Sequence, residues 1–202
     1  MCVTLLPLNR ESPSRMAGAG AAPITLVAPF EYAYPVDAWV RALKFGGDRV
    51  YARVLGVLLA RARAALPADL PQLIVPVPLH STRYRERGFN QAAELARVAG
   101  NALRVRVEPN ALARRFATRE QSGLSVRQRR KNVRRAFTLA RPLSATHVAL
   151  VDDVMTTGST ALAAARVLTA HGVRQVEIWA AARAVLARAS RTSRSKLVMT
   201  QY

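Results

Sequence analysis

Residues 147–168, HVALVDDVMTTGSTALAAARVL, decide how the rest of the chain is read. An apolar run from Val148 to Val151 meets two adjacent carboxylates, Asp152 and Asp153. The short polar loop Met155-Thr156-Thr157-Gly158-Ser159-Thr160 then opens into an alanine-rich segment. The order is strand, acidic pair, loop, helix. A helix start presents unpaired N–H groups and the positive end of its dipole, so an anion sits there with little further help. Gly158 lets the backbone approach closely, and the hydroxyls of Thr156, Thr157, Ser159 and Thr160 can donate to phosphate oxygens or cap the helix. Two neighbouring carboxylates repel each other unless something positive or hydrogen-donating joins them. Ribose hydroxyls and a magnesium ion together would do so, because carboxylates accept from hydroxyls and magnesium prefers oxygen ligands and substrate phosphates. Asp152 and Asp153 are therefore candidate ribose and magnesium ligands, and the stretch as a whole suits a sugar phosphate. The plain alternative is a buried strand that ends in an ordinary capped turn.

Working towards the N-terminus, LIVPVPLH (73–80) reads as a strand that leaves its sheet at Pro76 and Pro78. It runs into His80-Ser81-Thr82-Arg83-Tyr84-Arg85-Glu86-Arg87-Gly88, a basic loop, and Asn90 can cap a helix over 91–103. Basic loops at the C-terminal ends of parallel strands are where ligands bind in open α/β sheets; a solvated charged turn is the alternative. A short strand is expected near 105–108. Between Leu112 and Phe137 stand Arg114, Arg115, Arg119, Arg127, Arg129, Arg130, Lys131, Arg134 and Arg135, against Glu120 alone. Such a run repels itself unless an anion lies nearby. Tyr84, Phe89 and Phe116 sit among these basic residues and are candidates for stacking on bases, with core packing the competing fate for Phe89.

Earlier still, helices are expected over 37–45, closed by Gly46-Gly47, and over 49–65, with Val50, Val54, Val57 and Leu58 on one face and Arg53, Arg61 and Arg63 largely elsewhere. Beyond the opening stretch, a helix over 159–171 ends at Gly172 and a strand covers 176–181. Strands alternating with helices predict a parallel sheet covered on both faces, and right-handed crossovers would bring the loops at His80, Arg114 and Thr156 to one edge.

With 202 residues, 50% of them apolar, the chain can bury one full core. Residues 1–23 read as a flexible leader, with Met16 a second candidate start; 24–186 form the domain and 187–202 a basic tail. The sequence has no apolar run of the roughly 18 residues that a membrane span needs, and no basic-then-apolar export signal, so a cytoplasmic location is expected. Cys2 and the scattered His80, His147 and His171 predict neither a disulfide framework nor a zinc site. A formal charge of +19 and a pI near 11.7 point to polyanionic partners.

VALVDDVMTTGSTAL resembles the motif with which type I phosphoribosyltransferases bind 5-phosphoribosyl-1-pyrophosphate. Further segments fall in the matching order: APFEYAYPVDAWVRALKFGGD (28–48), VPVPLHSTRYRERGFNQA (75–92) and RRFATREQSGLSVRQRRKNVRRAF (114–137). Together they resemble the ComF family, also called GntX-like, of phosphoribosyltransferase-fold proteins, over roughly residues 24–186. The resemblance implies an α/β, parallel-sheet, Rossmann-like type I phosphoribosyltransferase fold with a short N-terminal β/α addition. It implies that Asp152 and Asp153 hold the ribose 2′- and 3′-hydroxyls, and that Met155, Thr156, Thr157, Gly158, Ser159 and Thr160 hold the 5′-phosphate. By the same resemblance His80, Ser81, Arg83 and Arg87 belong to the pyrophosphate loop. Arg114, Arg115, Thr118, Arg119, Gln121, Arg129, Arg130 and Lys131 match a mobile loop that covers the site and are candidates for DNA contact. Lys44 and Phe45 fall in the family's N-terminal signature with no role assigned.

Two departures narrow what carries over. Family members commonly begin with a four-cysteine zinc module, which Cys2 alone does not supply. The 6-oxopurine phosphoribosyltransferases carry an aspartate general base where this loop has Thr156, and threonine does not accept a proton at neutral pH.

Two functions stay open on the sequence. The first is a phosphoribosyltransferase, a pentosyltransferase of the glycosyltransferase class, that binds 5-phosphoribosyl-1-pyrophosphate or a nucleotide with Mg2+. Pyrophosphate would leave C1 through an oxocarbenium-like transition state and a nitrogenous acceptor would take the ribosyl phosphate, with magnesium and arginines stabilising the leaving charge. The acceptor and the catalytic residues are not named by the sequence. The second is a non-catalytic single-stranded DNA-binding protein of natural competence, working beside competence proteins, whose many phosphate contacts give salt-dependent affinity. Neither reading sets an oligomeric state.

Overall fold

Val148 to Val151 are completely buried because the strand that carries them has a parallel neighbour on each side and a helix layer over each face. That double burial is why the run is continuously apolar rather than alternating. The computed structural model describes residues 8–9, 12–16, 24–115 and 136–184. In chain order the described elements are β1 (Ser14–Met16), β2 (Ile24–Val27), β3 (Phe30–Glu31), α1 (Val36–Phe45), α2 (Arg49–Ala64), β4 (Leu73–Pro76), α3 (Ser81–Arg87), α4 (Gln91–Leu103), β5 (Arg106–Val107), β6 (Leu112–Arg114), β7 (Phe137–Leu139), β8 (His147–Met155), α5 (Ser159–Ala170) and β9 (Gln175–Arg183). The fold is mixed α/β. Its main sheet has the order β1-β2-β9-β8-β4-β5, with β3 continuing the β2 side of β9. Every pairing in it is parallel except β1 with β2. The architecture is compatible with a Rossmann-like arrangement.

Strand alternation sorts the core into two halves. Val148 and Leu150 of β8 face α5 and the β6–β7 ribbon, while Ala149 and Val151 face α1, α2 and α4. The chain leaves β4 through α3 and α4 to reach β5 on the outer side, and leaves β8 through α5 to reach β9 on the other side. The two connections therefore diverge between β4 and β8. In open α/β sheets ligands bind at such a point, in the crevice beyond the strand ends.

The local signals place several elements closely. Asp48 Oδ1 accepts from Val50 N at 3.0 Å to start α2, and Asn90 Oδ1 accepts from Ala92 N at 3.0 Å to start α4. Other expectations need correction. β8 does not stop at Val151 but continues to Met155, so Asp152 and Asp153 are strand residues, Asp152 in register with Ala180 of β9. The basic stretch after His80 is a short helix, α3, ended by Gly88 at φ +76°. In α2 the buried face is Ala52, Leu55, Gly56, Leu59, Ala60 and Arg63, not the valine stripe: Val50 is 64% and Val54 38% exposed. The small residues win because α2 lies tightly against α4; a Cβ on Gly56 would stand 2.7 Å from the Val98 Cβ.

Within the stretch expected to be a leader, Ser14–Met16 pairs antiparallel with β2. Asn9 Nδ2 donates to Ala28 O at 2.8 Å and Ala28 N donates to Ser12 Oγ at 3.0 Å, which satisfies backbone groups at the sheet edge. The tail expected at 187–202 lies outside the described residues. No helix among the described residues is long and apolar enough to cross a membrane.

Candidate functional site at the diverging strand ends

The regular alternation of β8 breaks at the acid pair: Ala149, Val151 and Val154 pack with α1, α2 and α4, whereas Val148, Leu150 and Met155 pack under α5. Asp153 meets the end of α1, where Lys44 Nζ lies 3.0 Å from its Oδ2. The charge of Asp152 acts on Arg114 at the end of β6. The chain helps its own carboxylates locally. Asp152 Oδ1 accepts from Asp153 N at 2.9 Å, and Asp153 Oδ1 accepts from Val154 N at 2.6 Å. Burial pushes the Asp152 carboxyl up to about 7, and the negative charge of Asp153 pushes the same way. The Asp153 amide, Lys44 and Arg114 pull against them and lose.

Two guanidinium groups flank the pair. Arg87, in the last turn of α3, loses some basicity through burial; Asp153 partly restores it and Arg83 opposes. Its Nη1 donates to Gln91 Oε1 at 3.1 Å, which fixes it against the start of α4. Arg114 is shifted downward by burial and by Arg83, with Asp152 opposing, and its Cζ stands 5.4 Å from the Phe137 ring centroid. Both shifts leave a group that is always charged near neutrality. Lys44, Arg87 and Arg114 thus bring positive charge to two carboxylates from three separate elements.

The loop after β8 turns on Gly158, whose φ of +72° suits glycine alone among the residues here. Leu162 N donates to Gly158 O at 2.8 Å and opens α5. No side chain caps α5 at Gly158. Thr157 Oγ1 instead donates to Ser159 Oγ at 3.1 Å, and both residues are exposed, as is Thr156. Thr160 is half-buried. Met155 is a core residue, so its side chain belongs to the packing under α5 and not to the solvent side of the loop.

The other expected positions divide in three. His80 starts α3, its Nδ1 accepting from Thr82 N at 3.2 Å, with Ser81 and Arg83 exposed on the first turn and Arg87 bonded to Gln91 within range of the Asp153 charge. Arg114 and Arg115 close the β6–β7 ribbon, where Arg115 N donates to Ala136 O at 2.8 Å, so the intervening basic segment leaves and returns at one place. Arg119, Gln121, Arg129, Arg130 and Lys131, with Thr118 and Phe116, lie outside the described residues. Phe89 is packed with Leu43 and Ala52, whereas Tyr84 is exposed. The sequence assigns no role to Lys44 or Gln91. The signal for Lys44 was its place at a glycine-terminated helix end; Gln91 has none.

No family model matches the chain. It is 37% identical over 158 residues to DNA utilization protein YhgH of Escherichia coli (strain K12), covering 76% of this chain and 70% of that protein. Competence protein F of Haemophilus influenzae is 36% identical over 160 residues, with the same shares covered. The chain belongs to the ComF family.

In this ComF-family chain the residues offered to a divalent cation are sparse. Among the described residues no group of three or more His, Cys, Asp or Glu is placed to hold a metal. Lys44 already takes one oxygen of Asp153, and each aspartate also accepts a backbone amide. A magnesium ion at this pair would have to take most of its oxygens from a ligand, because the protein offers no cage among the described residues.

Proposed function

We propose that this protein binds 5-phosphoribosyl-1-pyrophosphate, or a related ribose phosphate, in the crevice between β4 and β8 of a type I phosphoribosyltransferase fold. The observation that carries the reading is the acid pair at the diverging strand ends, with Asp152 raised to about 7 and three cations around it. A carboxylate in that state gains from donors that arrive with a ligand, and the two ribose hydroxyls are such donors. The hydroxyls and first amides at Gly158, Ser159 and Thr160 suit the 5′-phosphate. Arg83 and Arg87 suit the pyrophosphate, and Arg114 adds charge from the other side. Magnesium, bound with the ligand and touching a carboxylate oxygen of Asp152 or Asp153, would supply neutralisation of phosphate charge.

Transfer follows if a nitrogen nucleophile takes C1 as pyrophosphate departs: the C1–O bond breaks, a C1–N bond forms, and the nucleophile's proton goes to solvent. The experiment is pyrophosphate release from 5-phosphoribosyl-1-pyrophosphate and Mg2+ across a panel of bases and amines, with Asp152→Asn and Asp153→Asn as controls. Release that both variants abolish supports transfer.

A second reading is a non-catalytic protein of single-stranded DNA uptake or use. The relatives' names favour it, as do the +19 charge and the exposed Arg83, Tyr84 and Arg85 on α3. No release with any acceptor, together with DNA binding that weakens steeply with salt, would select this reading over transfer.

A further inference from the structure

We infer that Phe45, braced by Arg87, is a stacking platform for a nucleobase; the inference rests on the ribose-phosphate reading of the adjoining acid pair and gives that ligand a base. Phe45 is the last residue of α1. Val36, Val40 and Leu43 of the same helix are completely buried, while Phe45 is 76% exposed. A singly exposed apolar side chain needs no explanation by itself. This one differs in its setting. Its chain neighbour Lys44 contacts Asp153 at 3.0 Å, so the ring belongs to the residue next to the one that pairs with a carboxylate assigned to the ribose.

Arg87, whose Cζ is 5.2 Å from the ring centroid, is held by Gln91 and feels the charge of Asp153. A guanidinium over an aromatic face is attractive, and it orders a ring that packing alone leaves in solvent. It also places positive charge where a phosphate-linked base would approach. Beyond Phe45 the chain turns through Gly46 and Gly47, the latter at φ +66°, so no side chain follows the ring.

Stacking on an aromatic face is tolerant of base identity, because every base has a π-face. The platform therefore suits a nucleotide whose base is not strictly specified, whether free or within a single strand. Lys44 connects it to the sugar: one helix end holds the ribose acid with residue 44 and offers the base a surface with residue 45.

The test is calorimetric titration of ribose 5-phosphate and of AMP into the wild-type protein, F45A and F45W. Wild type should bind AMP about tenfold more tightly than ribose 5-phosphate, in line with one stacked base. That ratio should fall to about one in F45A and persist in F45W, with quenching of the new indole's fluorescence. A ratio near one in wild type, or one that survives in F45A, overturns the platform. If ribose 5-phosphate and AMP both fail to bind, the sugar-site reading fails by itself. The platform is then decided on an oligothymidylate of about ten nucleotides against an abasic strand of equal charge. Loss of the preference for bases in F45A supports stacking on single-stranded DNA, and an unchanged preference overturns it.

Discussion

Glu177 and Asp152 are both carboxylates on the central strands of one sheet, yet their acidities move in opposite directions. Glu177 stands near the start of β9, 2% exposed and among apolar neighbours. Burial pushes it up, but hydrogen bonds from Arg63 and Trp179 and the charges of Arg63 and His147 outweigh that and leave it below the ordinary glutamate value. Four donors reach it, two per oxygen. Arg63 Nε and Trp179 Nε1 are each 2.7 Å from Oε2; Arg63 Nη2 is 2.8 Å and His147 Nε2 3.0 Å from Oε1. Arg63 is itself completed by Ala68 O and Asp69 O. At the far end of the neighbouring strand Asp152 has an amide of its own chain and only the more distant pull of Lys44 and Arg114, and burial wins. A carboxylate whose lone pairs are filled by the fold belongs to the scaffold. One that burial still disfavours is poised to gain from an incoming donor.

Glu177→Ala leaves the Arg63 guanidinium buried without its counter-charge and should cost about 3–5 kcal/mol in urea denaturation. The double variant Arg63→Met with Glu177→Leu should recover only part of that loss, because an apolar pair removes the stranded charge but leaves the buried Trp179 Nε1–H without its acceptor. The stability that Glu177 contributes is present above its ordinary value of 4.5 and lost as pH falls through its lower folded value.

Asp152→Asn should act with the opposite sign. With a folded value of about 7 against an ordinary 3.8, the folded wild type holds the extra proton, so its stability falls as pH rises through that window and then levels. The asparagine variant escapes this and should be about 1 kcal/mol more stable than wild type above the window, with the advantage gone below it. Its affinity for ribose 5-phosphate should drop by at least about tenfold, which is the price of that stability. Loss of stability at both ends of the window would count against the contrast between the two acids.

Lys44→Met should have the smallest effect on stability, at most about 1 kcal/mol, because the ion pair is partly open to solvent. Its sharper consequence is on titration. Ligand binding that needs ionised Asp152 strengthens as pH rises through about 7, and without Lys44 that midpoint should move upward. An unmoved midpoint would uncouple Lys44 from the pair.

Much of this was legible along the chain. Asn90 and Asp48 announce their helices because a cap acts over two or three residues. The loop at Gly158 and the acid pair before it are likewise local: strand, carboxylates and helix start are read from consecutive residues. The buried face of α2 was not legible, since Val50 and Val54 make as good a helical stripe as Leu55 and Leu59. The choice fell to α4, which needs the close approach that Gly56 allows. The β6–β7 ribbon joins short segments across a long basic stretch, and no local pattern marks such a pairing.

The sequence by itself determined the class of fold and the chemical character of the strand end, because hydrophobic runs, caps and a glycine turn express short-range sterics and hydrogen bonding. Tertiary structure alone decided which charges meet. Lys44 pairs with Asp153, the charges of Arg87 and Arg114 act on Asp153 and Asp152, and Arg63 closes on Glu177 across 114 residues. Charge–charge energies depend on distance and burial in space, and neither is encoded at any single position of the chain.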